Sequence, residues 1–294
     1  MTFRSTLVLA APMVQALLRA ASRLPSSVRA TTMATVCLLL MAFGAYAQQT
    51  NPPGNAGVPP AGQPGARGGR RGGAGNMIPP LEESGFRKIF DGRSLKGWDC
   101  DPDFWRVEDG VLIGETKIDH QPTQNIFCIW RDGKPADFEL KLEYRLTGAS
   151  SGNSGVQYRS VELPEVARWV LKGYQADIDA QQRYTGQIYE ERARTFVAMR
   201  GQFTYVGDGK KPALVSSLGD DAVLKSYIKV EDWNEMHIIA RGNVIIQMMN
   251  GHVMSQLIDD DKAGRQMEGL LGIQLHRTNG PMKIESRNIR LKEY

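Results

Sequence analysis

The sequence predicts an all-β protein, a two-sheet antiparallel β-sandwich of jelly-roll type, and three observations predict it. Apolar and polar residues alternate with period two in residues 137–146, 156–159, 174–178 and 273–276, the pattern of strands with one dry and one wet side. Turn dipeptides recur at short intervals: Asp91-Gly92, Asp109-Gly110, Asp132-Gly133, Gly242-Asn243, Asn250-Gly251 and Asn279-Gly280. Finally, no stretch sustains a helical period, residues 190–197 coming nearest.

The first 47 residues read as a signal peptide. Arg4, Arg19, Arg23 and Arg29 precede the apolar run 36–43, and Ala45-Tyr46-Ala47 offers small residues at the positions a signal peptidase reads. The run falls short of the roughly 20 residues that span a bilayer, so no stable membrane insertion is expected. Residues 7–18 make the leader long, and Met33 is an alternative start. Cys37 lacks the small neighbour of a lipoprotein cleavage site. An exported, periplasmic or extracellular product is expected.

Residues 48–76 are rich in Gly and Pro and too poor in apolar residues to bury anything, a flexible linker. Its Arg-Gly run suits RNA, but in an exported chain a solvated spacer is the expectation, with no nucleic-acid partner. Removing the leader leaves 32 basic against 32 acidic residues, so the basic balance of the whole chain says little about partners.

Residues 77–294 are long enough for one all-β domain. The Asp109-Gly110 turn joins 106–108 to 111–113, and a meander runs through 233–240, 244–249 and 252–258. Trp98, Trp105 and Trp233 read as core, whereas Trp130 and Trp169, with polar or loop neighbours, are candidate sugar-stacking platforms. Cys100 and Cys128 are the two cysteines outside the leader, and an oxidising compartment permits a bridge. Asp99, Asp101 and Asp103 alternate as in a calcium loop but lack its glycine and closing glutamate, so a solvated turn is expected. The chain has no Gly-rich phosphate loop and no serine or cysteine nucleophile motif.

The polar positions of the alternating strands carry the functional signal: Glu143 and Arg145, Gln157 and Arg159, Gln175 and Asp177, Gln274 and His276. A merely solvated face would favour Lys, Glu, Thr and Ser. Short directional groups on several strands suit a groove that must meet each sugar hydroxyl with a donor or acceptor. The bland alternatives are a cross-strand ion-pair ladder for Glu143, Arg145, Arg159 and Asp177, and a carbonyl-satisfied histidine for His276. Asn153-Ser154-Gly155 reads equally as a strand-entry turn or a binding loop.

From Gly85 to Tyr294 the chain resembles the 3-keto-disaccharide hydrolase domain family, similar in fold to the concanavalin A-like lectins and glucanases. Ordered blocks carry the resemblance: residues 90–98, 105–112, 137–140, 153–160, 173–178, 185–190, 233–234, 250–251, 272–276 and 287–291. Some members carry Tyr-Glu-Val-Gln where this chain has Tyr174-Gln175-Ala176-Asp177. The resemblance implies cleavage of a glycoside whose sugar a separate oxidoreductase has oxidised at C3. That enzyme is a partner in the pathway, not necessarily a physical one. The ketone acidifies the C2 hydrogen, a base removes it, and the enolate expels the C1 substituent; water then adds.

On this reading His276 is base or acid, since its unperturbed pKa lies nearest neutrality. Glu143 and Asp177 share proton transfer or hold a divalent cation, Arg159 or else Arg145 stabilises the enolate, and Gln157, Gln175 and Gln274 hold hydroxyls. Asn153, Tyr189 and Glu190 complete the substrate-binding set, the last two by resemblance. Two other readings stay open: an ordinary glycosidase using Glu143 and Asp177 as a carboxylate pair, and a carbohydrate-binding domain without catalysis.

Overall fold

A computed structural model of the chain describes residues 85–148 and 152–294; the signal-peptide and linker expectations lie outside them. The strands are, in order, β1 (Arg87–Lys88), β2 (Trp98–Asp99), β3 (Trp105–Glu108), β4 (Val111–Thr116), β5 (Ile126–Trp130), β6 (Phe138–Gly148), β7 (Asn153–Glu162), β8 (Leu171–Asp179) and β9 (Ile188–Glu191). They continue as β10 (Thr195–Ala198), β11 (Gln202–Val206), β12 (Ala213–Ser217), β13 (Asn234–Arg241), β14 (Val244–Met249), β15 (His252–Asp259), β16 (Leu270–Leu275) and β17 (Met282–Glu293), with a short helix α1 (Asp221–Ser226) after β12.

Two sheets hold these strands. The larger runs β12-β11-β15-β14-β13-β6-β17-β4-β3, with β1 on β17; the smaller runs β10-β9-β8-β7-β16-β5-β2. The expected meander is β13-β14-β15 and the first hairpin is β3-β4. Residues 190–197 fall in β9, its turn and β10, so no helix forms there. The one helix was not expected: Asp220 caps it by accepting from the Ala222 and Val223 amides, and Leu224 is its buried residue.

The core lies between the sheets and follows strand parity. From β6 come Phe138, Leu140, Leu142, Tyr144 and Leu146, from β13 Met236, Ile238 and Ala240. The small sheet answers with Val156, Tyr158, Tyr174, Ala176, Ile178, Ile273 and Leu275. The other parity of β7, β8 and β16 therefore faces outward, placing Gln157, Gln175, Asp177 and Gln274 on the outer side of the small sheet. Part of that outer side is covered: Phe127, Ile129, Leu171 and Leu270 form a second apolar cluster against Trp169. Trp169 is fixed there by donating its indole N–H to Asp99 Oδ1 at 2.7 Å and accepting from the Phe127 amide at 2.9 Å.

Cys100 and Cys128 are disulfide-bonded, joining the chain just after β2 to β5. Of the five tryptophans, Trp130 is 1% exposed, so it is core and not a platform. No helix among the described residues is long and apolar enough to cross a membrane.

Candidate functional site

On the outer side of the small sheet a cavity of about 190 Å³ opens over the ends of β7, β8 and β9. Asp177, Gln175 and Gln187 form one part of its lining, Asn153 and His276 another, and Tyr184, Tyr189, Glu191 and Phe196 the rest.

The floor is built by one glycine. Gly155 pairs with Asp177 in the β7–β8 register, and β16 places Gln274 on the other side of it. A Cβ on Gly155 would stand 2.6 Å from Cγ and Cδ of Gln175. Because that Cβ is missing, the Gln175 side chain lies across the strand, where its Nε2 donates to Asp177 Oδ1 at 2.7 Å. Gln187 Nε2 donates to the other oxygen, Oδ2, at 2.6 Å. Behind them Gln157 Nε2 donates to Gln175 Oε1 at 3.3 Å, and Ser160 Oγ donates to Gln157 Oε1 at 2.9 Å.

Asp177 is thus a carboxyl 6% exposed, held by two neutral amides, with no lysine or arginine paired to it among the described residues. Burial pushes its pKa from 3.8 up to about 7; the two amide donors oppose the rise, and Glu191 and Asp179 add to it. It therefore titrates near neutrality, as a general acid or base requires. Burial also raises the Tyr189 phenol above its usual value, so its hydroxyl stays a donor. His276 Nδ1 stands 2.6 Å from the Arg277 carbonyl, which can only accept. The proton must sit on Nδ1, which leaves Nε2 for a ligand.

A buried charge network fixes the β9–β10 hairpin that carries Tyr189, Glu191 and Phe196. Arg194 in the turn donates to Glu190 at 2.6 Å, to Asp259 at 2.6 and 3.0 Å and to Asp261 at 3.3 Å. Tyr174 reaches the same Asp259 from β8.

Several expected site residues lie elsewhere. Glu143 and Arg145 belong to β6 in the large sheet and face away from the core there: Glu143 accepts from Arg287 and Asn288 at 2.7 Å, and Arg145 pairs with Glu285 at 2.7 Å. They cannot join Asp177, so neither a Glu143–Asp177 carboxylate pair nor a cation shared by the two is possible. Arg159 follows strand parity only until a bulge between Tyr158 and Val161, where its φ of 47° turns it off the floor. Its guanidinium, 1% exposed, is spent on the Ala136 and Gly242 carbonyls and Asp137, tying the two sheets together. Glu190 points inward to Arg194, because its neighbour Tyr189 points outward. Gln274 shares the floor but is fully buried, with neither amide atom partnered, and Trp169 packs on the apolar cluster rather than in the cavity.

Sequence reasoning missed Tyr184, Gln187, Glu191 and Phe196. The signal for Glu191 was present: the alternation Ile188, Tyr189, Glu190, Glu191 places 189 and 191 together, but near-helical spacing over 190–197 obscured it. Gln187 and Tyr184 lie outside any strand, where alternation gives no direction. Among the described residues no group of three or more His, Cys, Asp or Glu is arranged to hold a metal ion.

A larger cavity, about 240 Å³, lies on the core-facing side of β8 against Tyr144 and Ile178. Its Asp179 is engaged by Arg183 and its Asn234 by the Lys229 and Asp232 carbonyls.

A β-sandwich with a polar cavity on the outer side of one sheet defines a carbohydrate-active domain when set beside the family that the chain matches. That family is described as the 3-keto-alpha-glucoside-1,2-lyase-like domain; it matches residues 85–292, and the chain belongs to it. None of the curated proteins matches. Among solved structures, the chain is similar to a Parabacteroides distasonis protein provisionally named a glycosyl hydrolase, with 18% identity over 71% of this chain and 99% of that one and a TM-score of 0.47. It is similar also to the carbohydrate-binding module CBM66 of Bacillus subtilis, with 14% identity over 67% and 96% and a TM-score of 0.43. A Bacillus subtilis protein of unknown function with a galectin-like fold gives 11%, 68% and 90%, and 0.46.

Proposed function

We propose that this domain cleaves the glycosidic bond of 3-keto-glycosides by removing the C2 proton, with Asp177 as the base. The observation that carries the reading is the state of Asp177: a carboxyl in a sugar-sized cavity, pushed to about 7 by burial and held by neutral donors alone. An ordinary structural aspartate would be paired or solvated.

Asp177 takes the C2 hydrogen as a proton; the C–H pair forms C2=C3 and the carbonyl pair moves onto O3. The Tyr189 hydroxyl is the donor to that developing oxyanion. The enolate then collapses, C3=O re-forms, C1=C2 forms and the C1–O bond breaks. His276, its Nδ1–H committed to Arg277, takes up at Nε2 the proton that Asp177 removed and passes it to the leaving oxygen, which returns Asp177 to the carboxylate. Water adding to the enone completes net hydrolysis, and omitting that step makes the enzyme a lyase. Gln175 and Gln187 hold the base in place.

The substrate class requires a separate oxidoreductase to supply the ketone. We propose that the enzyme is exported, which the Cys100–Cys128 bond supports because disulfides persist in oxidising compartments. Purified protein offered a glucoside and its 3-keto derivative side by side tests the reading. Turnover of the keto-sugar alone is expected, and equal turnover of both would overturn it.

A further inference from the structure

Two side-chain amides outside the cavity clamp the backbone that follows His276. The peptide joining Arg277 to Thr278 carries the carbonyl that faces His276 Nδ1 at 2.6 Å, and its other end, the Thr278 N–H, donates to Gln121 Oε1 at 3.2 Å. The preceding peptide, joining His276 to Arg277, is held in the same way: its N–H donates to Asn125 Oδ1 at 3.1 Å.

Neither amide can be turned round. Gln121 Nε2 donates to the Lys117 and Gly280 carbonyls at 2.7 and 3.0 Å, groups that only accept, so Oε1 is the atom left for Thr278. Asn125 Nδ2 donates to the Glu191 carboxylate at 3.3 Å, which fixes Oδ1 on Arg277 by the same logic. Glu191 lines the cavity, so Asn125 also ties the loop after β16 to β9. The turn before Gln121 is closed by reciprocal backbone bonds between Lys117 and His120, and the His120 ring stacks on Phe104 at 4.5 Å.

A neutral imidazole can carry its proton on either nitrogen, and the acceptor beside it decides which. Because the peptide is planar, the Arg277 carbonyl and the Thr278 N–H form one rigid unit, and anchoring the second aims the first. The bonds also run in one direction, from the imidazole N–H through the peptide to Gln121, and each polarises the next. Taking up a proton from Asp177 requires a bare Nε2, which is the tautomer these bonds select.

We propose that Gln121, with Asn125, is a positioning residue that sets the His276 tautomer and holds Nε2 ready for the proton. Its part in the reaction rests on the cleavage reading above; its effect on the tautomer does not.

Nitrogen NMR of the full-length protein, with its histidine ring nitrogens isotope-labelled, tests this in mildly alkaline buffer where imidazoles are neutral. The chain has four histidines, and the signals lost in His276→Gln identify the ring in question. Wild-type His276 should carry its proton on Nδ1 alone. Gln121→Leu should let the Nε2–H form appear and lower kcat on a 3-keto-glucoside by roughly 10-fold with KM within about 2-fold, while unmoved His237 and His252 signals report an intact fold. If Gln121→Leu does not fold, Asn125→Ala must show the same redistribution. An unchanged Nδ1–H tautomer in the folded variant, or a changed tautomer with kcat unmoved, would overturn the proposal. If the wild type cleaves no 3-keto-glucoside, the cleavage reading fails, and the ring signals alone decide whether Gln121 sets the tautomer.

Discussion

Gln175 and Asp177 stand two residues apart on one face of one strand, and the amide of the first donates to the carboxylate of the second at 2.7 Å. That contact exists because Gly155 on the next strand has no side chain to occupy the space. The most consequential carboxyl of the cavity is thus set by three residues that touch.

Asp177→Asn should lower turnover of a 3-keto-glycoside by about 10²–10⁴-fold while making the fold more stable above pH 7. The sign follows from the shift. The folded-state pKa of about 7 lies above 3.8, so the native state holds this proton longer than the unfolded chain. Its contribution to stability falls as pH rises from about 4 to 7, and the full cost remains above 7. At 1.36 kcal/mol per pH unit the ceiling is about 4 kcal/mol. Asn can keep both amide contacts if Gln187 turns its unpartnered Oε1 toward it. Denaturant unfolding at pH 4.5 and 8 measures the effect, and identical pH slopes for variant and wild type would contradict it.

In wild type, kcat/KM should rise with pH along a limb centred near 7, the ionisation of Asp177. Gly155→Ala pushes Gln175 away, removes a donor that holds the carboxylate, and should move that limb to higher pH with roughly a tenfold loss of rate at neutrality. A rate loss with an unmoved limb would mean that Gln175 does not tune Asp177.

Glu143→Gln and Arg145→Met should leave kcat/KM within about 2-fold of wild type, since both side chains lie on the other sheet. Losing the partly exposed Glu143–Arg287 pair should cost no more than about 1 kcal/mol in stability, whereas Arg145→Met leaves the buried Glu285 with Lys283 alone at 3.5 Å and should cost more. A tenfold loss of activity from either would place the site elsewhere.

How much of this was legible from sequence varies with the kind of information needed. Alternation is local, and it read the inner and outer parities of β6, β7, β8 and β16 in register with the structure. What alternation lacks is which sheet a strand joins. Glu143 and Asp177 both point outward, but β6 pairs with β13 and β17 whereas β8 pairs with β7 and β9, so the two carboxylates face opposite ways. Arg159 escaped because one bulge inverts the parity that Gln157 obeys. Phe196 escaped because its direction comes from a strained Thr195 that spacing cannot reveal.

Replacing both Cys100 and Cys128 by serine should destabilise the domain by about 3–4 kcal/mol, the loop-closure value for a separation of 28 residues. Cys128 is fully buried, so a buried hydroxyl adds to that loss. Unchanged unfolding in the presence of reductant would show that the bond contributes nothing.

The central claim is that Asp177 removes the C2 proton, and solvent exchange at that carbon measures it most directly. Incubating a 3-keto-glucoside deuterated at C2 with the protein should give a primary isotope effect on cleavage, or loss of deuterium from unreacted substrate, and Asp177→Asn should abolish both while still binding the sugar. Cleavage with C2 deuterium fully retained, at equal rates in wild type and Asp177→Asn, would contradict the account.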